Sequence, residues 1–189
     1  LYDLLGRVEE VSDCLYALTA TPMQLNVGEL YDLLRLCDLP ESWSDKERFT
    51  EFFETRRVLK QSLAEVGDDY RGLNEGQGKV VSNVRRELDL EDNDEGRWKA
   101  ESRIRRFAEL LHDHVQDYSG YESQSQAVVD SANVSGMNQK KALEKLVGVR
   151  DTSPRFDDPA DLVFECGPEG WKSLVEATEW ATPVQSRVF

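Results

Sequence analysis

The run Cys14-Leu15-Tyr16-Ala17-Leu18, stopped by Thr19-Ala20-Thr21-Pro22, is the stretch that most constrains this chain. A short, nearly continuous apolar run suits a strand buried on both faces, as in a parallel sheet. Pro22 ends it, because proline has no N–H to give to a ladder. Upstream, Leu1, Leu4, Leu5, Val8 and Val11 share one helical face, although Gly6 costs about 1 kcal/mol relative to alanine there. Ser12 and Asp13 make a turn. Downstream, Leu30, Leu33, Leu34 and Cys37 follow the spacing of an amphipathic helix. Glu29 supports the N-terminus of that helix, where the dipole favours anions, and Pro40 ends it. Helix, buried strand, loop and helix in this order predict the edge of an α/β domain over residues 1–43.

From Ser44 the pattern changes to helical periods alone. Ser44 and Glu47 have capping-box spacing, and Phe49, Phe52, Phe53, Leu59, Leu63 and Val66 form a stripe behind them. Residues 67–97, with Gly67, Gly72, Gly76, Gly78, Gly96 and the acidic run Asp89 to Glu95, read as a mobile loop holding a short helix near Val80–Leu88. The clearest helix spans Trp98 to Tyr118, with Ile104, Phe107, Ala108, Leu111, Val115 and Tyr118 in its stripe. Residues 119–133 are polar and weakly patterned. A helix covers Gly136–Val147, residues 148–167 read as irregular, and a last helix carries Trp171, Leu174, Val175 and Thr178. Residues 44–180 are thus expected to be a helical insertion, and 181–189 an extended lead. The whole is predominantly α.

Charge bears on partners rather than fold. The net charge is −14 over 189 residues, and such a field repels phosphate backbones. Arginine outnumbers lysine 15 to 8. An acidic, lysine-poor surface fits either a salt-loving organism, where salt screens the repulsion, or an ordinary acidic cytoplasmic protein. Cys14, Cys37 and Cys166 are odd in number and far apart, which suits a reducing cytoplasm better than a disulfide framework or a zinc site. No apolar run of membrane-spanning length occurs. Leu1 opens in mid-helix, so the chain reads as an internal segment.

Two hydroxyls, Thr19 and Thr21, stand at the carboxyl end of the expected strand, the edge where open α/β sheets bind ligands. There, Thr19-Ala20-Thr21-Pro22 resembles motif III of superfamily-two helicases. Gln24 and the stretch Gly28-Glu29-Leu30-Tyr31-Asp32-Leu33-Leu34-Arg35-Leu36 are similar to the Swi/Snf group. Many eukaryotic members follow the Gln with Asn, whereas Leu25 stands here and Asn26 next. Gln-Leu looks more like bacterial and archaeal members that recycle RNA polymerase or serve phage defence of the DISARM type. The resemblance covers roughly residues 14–43. It implies the end of a RecA-like lobe within an ATP-driven translocase on double-stranded DNA. Thr19 and Thr21 would contact the motif II carboxylates and the lobe interface, and Gln24 would link the lobes or the DNA. It implies ATP and Mg²⁺ as cofactors and RNA polymerase or defence-system subunits as partners, with no membrane.

The 189 residues contain no Gly-x-x-x-x-Gly-Lys-Thr loop and no Asp-Glu-x-His box, so this chain alone is expected not to hydrolyse ATP. Arg56-Arg57, Arg85-Arg86, Arg103 and Arg105-Arg106 invite two readings. One is a basic stripe touching DNA or a partner. The other, favoured here, is ion pairing with neighbouring carboxylates. His112 and His114 are two apart, face different sides of a helix and read as surface or packed residues. Glu75-Gly76-Gln77-Gly78 reads as a loop, and Trp43, Trp98, Trp171 and Trp180 as core anchors. A non-enzymatic helical interaction module, with 14–43 matching by accident or as a remnant, is the competing functional reading.

Overall fold

The computed structural model describes residues 26–36, 39, 43–68, 70–117, 121–149, 158–178 and 181. They form seven helices: α1 (Val27–Arg35), α2 (Lys46–Val66), α3 (Leu73–Glu87), α4 (Asp94–Asp117), α5 (Glu122–Ser131), α6 (Met137–Leu146) and α7 (Pro159–Ala177). The expected α/β class is corrected. Among the described residues every regular element is a helix and no strand or sheet occurs. The strand expected at 14–18, the helix at 1–11 and the extended lead at 181–189 lie outside the described residues, Ala181 excepted.

Two compact units divide between Phe53 and Glu54. In the first, Asn26 caps α1 reciprocally with Glu29: the Glu29 N–H donates to the Asn26 side chain at 2.9 Å, and the Asn26 N–H to the Glu29 carboxylate at 3.3 Å. Glu29 therefore supports the helix start, as expected. Lys46 grips both oxygens of Asp32, at 2.7 and 2.8 Å, and the Tyr31 hydroxyl donates to the Ser44 carbonyl. A knot of rings closes this unit: Tyr31 and Phe49 meet edge-on at 5.4 Å, and Trp43 and Phe52 at 4.9 Å. Ser44 does not cap α2; Asp45 does, accepting from the N–H groups of Glu47 and Arg48.

The second unit is a helical bundle centred on α7, which packs against α3, α4, α5 and α6. Of the expected stripe of α4, Ile104, Phe107, Ala108, Leu111 and Val115 are buried, and Tyr118 lies outside the described residues. α3, α6 and α7 pack on α4, and Val80 and Val84 of α3, Leu143 and Leu146 of α6, and Val163, Trp171 and Leu174 of α7 are buried in the same unit.

The expected loop at 67–97 is corrected to a helical hairpin. α3 runs 15 residues through Gly76 and Gly78. Gly76 is a close-approach position, since a Cβ there would lie 2.8 Å from the Tyr70 ring and 3.0 Å from Pro168. The acidic run is short: Asp89 takes φ 52°, and the Leu90 N–H reaches the Arg85 carbonyl while the Asp89 N–H reaches that of Arg86, both at 3.0 Å. That is a Schellman closure. Asn93 then caps α4 by accepting from the Gly96 N–H. Residues 122–131 are also helical, although their pattern is weak.

α7 begins at Pro159, so the irregular segment expected over 148–167 is too long at its end. Asp158 caps it by accepting from the Ala160 N–H, with Pro159 at the first turn, where its missing N–H costs nothing. The helix breaks at Gly167 (φ 68°) before Pro168. Pro168 has no N–H for the Phe164 carbonyl four residues back, and the Gln77 side chain of α3 donates to it instead. The Trp171 indole donates to the Val163 carbonyl at 2.5 Å, spanning the break.

Candidate functional site

The motif III residues Thr19, Ala20, Thr21, Pro22 and Gln24 lie outside the described residues. The structure places the expected arginines and shows that they do not form one stripe. The Arg56 Nε donates to the Thr178 hydroxyl at 2.5 Å, tying α2 to the end of α7. The Arg105 guanidinium lies over the Phe164 ring at 4.5 Å, so both residues serve packing. Arg57 is exposed. Arg85 pairs with Asp92 at 2.8 Å and Arg86 with Glu65 at 2.5 Å. These two pairs reach beyond their own helix, whereas Arg105 also pairs with Glu101 one turn back at 3.7 Å, the intrahelical pairing that was expected. At the surface each is worth little.

Arg103 and Arg106 are brought together, one turn apart on α4. They line an open groove of about 310 Å³ with Trp98, Lys99 and Ser102 of the same helix, Leu88 and Leu90 of the preceding turn, and Glu54 of α2. Arg103 stands 3.6 Å from Glu54, and Lys99 stands 2.6 Å from Glu95. Hydrogen bonding to Lys99 holds the Glu95 carboxyl below its ordinary range, and the same bond holds the Lys99 ammonium above its own. Sequence reasoning missed Trp98. Trp43 and Trp171 are fully buried, as expected, but Trp98 is 61% exposed, and Trp180 lies outside the described residues. The missed signal is spacing: Trp98 falls off the Ile104–Leu111 stripe and on the cationic face of α4.

The second polar cluster is a clasp. The Tyr70 hydroxyl donates to Glu169 at 2.6 Å, and Lys172 bridges Glu169 and Asp68 at 3.1 and 3.0 Å. Burial, reinforced by Glu169, pushes the phenol's pKa up, so Tyr70 stays a donor. His114 is buried with its ring tilted against that of Tyr121 at 6.1 Å, and the His112 Nδ1 lies 3.4 Å from the Leu146 carbonyl. The histidines are packing residues. Glu75 to Gly78, expected in a loop, belong to α3. Among the described residues no three His, Cys, Asp or Glu side chains are placed to hold a metal ion, and no helix is long and apolar enough to cross a membrane.

No protein-family model matches this chain, and neither a curated protein nor a solved structure does.

Proposed function

We propose that the chain carries the coupling segment of a Swi/Snf-type, ATP-driven translocase on double-stranded DNA, with α2–α7 as an accessory helical module. One observation carries the reading: Thr19-Ala20-Thr21-Pro22 and Gln24 run straight into a helix that starts at Val27 under the Asn26–Glu29 capping box. The two threonine hydroxyls accept and donate without carrying charge. Groups of that kind switch partners when a γ-phosphate leaves. Thr19 and Thr21 are assigned that relay, and Gln24 a link between the lobes or to the DNA. ATP and Mg²⁺ are held by residues outside these 189, in a cytoplasmic protein working with RNA polymerase or a defence complex.

The test is ATP hydrolysis by the full-length protein that contains this chain, with and without duplex DNA. Hydrolysis stimulated by DNA, with the stimulation lost in Thr19→Ala while basal turnover persists, is the expected result. Absence of nucleotide turnover in the full-length protein defeats the proposal. So does robust turnover by the 189 residues alone, since no phosphate-cradling loop is among them.

The all-helical character of the described residues favours a second reading, a non-enzymatic helical interaction module. Such a module is indifferent to Thr19→Ala, and this separates the two.

A further inference from the structure

Trp98 is the anomaly of this surface. An indole 61% exposed leaves most of its apolar area in water, whereas Trp43 and Trp171 are fully enclosed. It stands in a groove whose lining carries Lys99, Arg103 and Arg106 against the single carboxylate of Glu54, in a chain of net charge −14. The cations follow one another at helical spacing, three or four residues apart. With a rise of 1.5 Å per residue, their stems sit about 4.5–6 Å apart along α4. Leu88 and Leu90 add apolar lining, and Ser102 lines the groove beside the cations.

We propose that this groove binds a short stretch of single-stranded nucleic acid, its phosphates on Lys99, Arg103 and Arg106 and one base stacked on Trp98. The site goes beyond the motor reading and stands on the groove alone. Charge complementarity selects the occupant. A row of cations beside an exposed aromatic face is how sequence-tolerant strand binding works: the cations follow the backbone and the ring takes any base. Glu54 and Glu95 already engage Arg103 and Lys99, so phosphates compete with carboxylates for them and binding is weak and salt-sensitive. The chain's net negative charge keeps strands off the rest of the surface, which confines binding to this groove.

The experiment is tryptophan emission of the 189-residue chain titrated with an oligothymidylate of fifteen nucleotides. Saturable quenching is expected in 50 mM salt. With three phosphates engaged on a single strand, affinity falls about eighteenfold on raising the salt to 200 mM. Trp98→Phe retains binding, measured by anisotropy of a labelled strand, because a ring remains. Trp98→Ala weakens it about tenfold or more, and Lys99→Ala flattens the salt dependence by about one third. Both residues are exposed, and circular dichroism checks that the variants keep their helices. No saturable binding, or equal affinity in Trp98→Ala, overturns the proposal. Displacement of the strand by polyglutamate at equal charge overturns it as well, because the groove would then be a carboxylate-reading protein interface. DNA-stimulated ATP turnover in the full-length protein is scored separately, so loss of this site leaves the motor reading standing.

Discussion

Thr55 is fully buried on α2, and its hydroxyl has no hydrogen-bond partner among the described residues. A buried hydroxyl without a partner costs about 1–3 kcal/mol, while a methyl of the same shape costs nothing comparable. Thr55→Val is therefore expected to stabilise the fold by about 1 kcal/mol, read as a higher urea midpoint with an unchanged slope. A lower midpoint would mean that the hydroxyl is satisfied after all. Cys166 shows the opposite use of burial. Enclosure pushes its thiol pKa above the ordinary value, with the nearby Glu165 adding to the effect. The thiolate is the reactive form, so Cys166 should resist alkylation in the native chain at pH 8 and react once urea unfolds it. Peptide mass mapping isolates it from Cys14 and Cys37, and rapid native labelling would refute the burial. The sign for stability follows: a raised thiol pKa favours the fold fully below the unfolded value, and the benefit fades as pH climbs above it. At this scale the sequence was most legible where an apolar residue sits on a regular stripe, as for Ile104 and Leu111. Trp98 was illegible because an aromatic ring looks the same in a core and on a surface until the helix face is known.

Elements were legible where apolar residues keep one period, and obscured where a helix uses glycine to pack. α4 shows the first case, its stripe at Ile104, Phe107 and Leu111 being buried as expected. α3 shows the second: Gly76 and Gly78 suggested a loop, yet Gly76 is where Tyr70 and Pro168 press against the helix. A glycine's sequence signature is identical whether it ends a helix or admits a neighbour, so contacts such as that of Pro168, far along the chain, decide. The Asp89 turn was misread for a related reason, because the acidic run drew attention from the Schellman closure within it. The break in α7 allows a graded test. Gly67 takes φ 54° with open space around its missing Cβ, whereas Gly167 takes φ 68° and a Cβ there would stand 2.0 Å from Leu73. Gly67→Ala is expected to cost about 1 kcal/mol from backbone strain alone. Gly167→Ala adds an overpacking cost of about 1–3 kcal/mol. Thermal melts should rank Gly167→Ala below Gly67→Ala, and the reverse order would mean that Leu73 yields freely.

For the whole molecule, charge and the order of elements set behaviour. A chain at −14 works against its own compaction, and at 1 M salt the screening length falls to about 3 Å. Raising sodium chloride from 0.05 to 1 M should therefore raise the melting temperature, despite weakening cross-links such as Arg86–Glu65. A falling midpoint would show that the ion pairs outweigh the repulsion. The fold class was the least legible property at this scale, because the strand reading rested on a single apolar run at 14–18 while the described residues are helical throughout. The central place of α7 has a further consequence during synthesis. It is the last helix described, yet α3, α4, α5 and α6 all rest on it. At about 5–20 residues per second, roughly five to twenty seconds separate the emergence of α3 from that of α7 at the ribosome. Through that interval the faces awaiting Trp171 and Leu174 stay wet, and the nascent chain offers them to any chaperone near the exit tunnel.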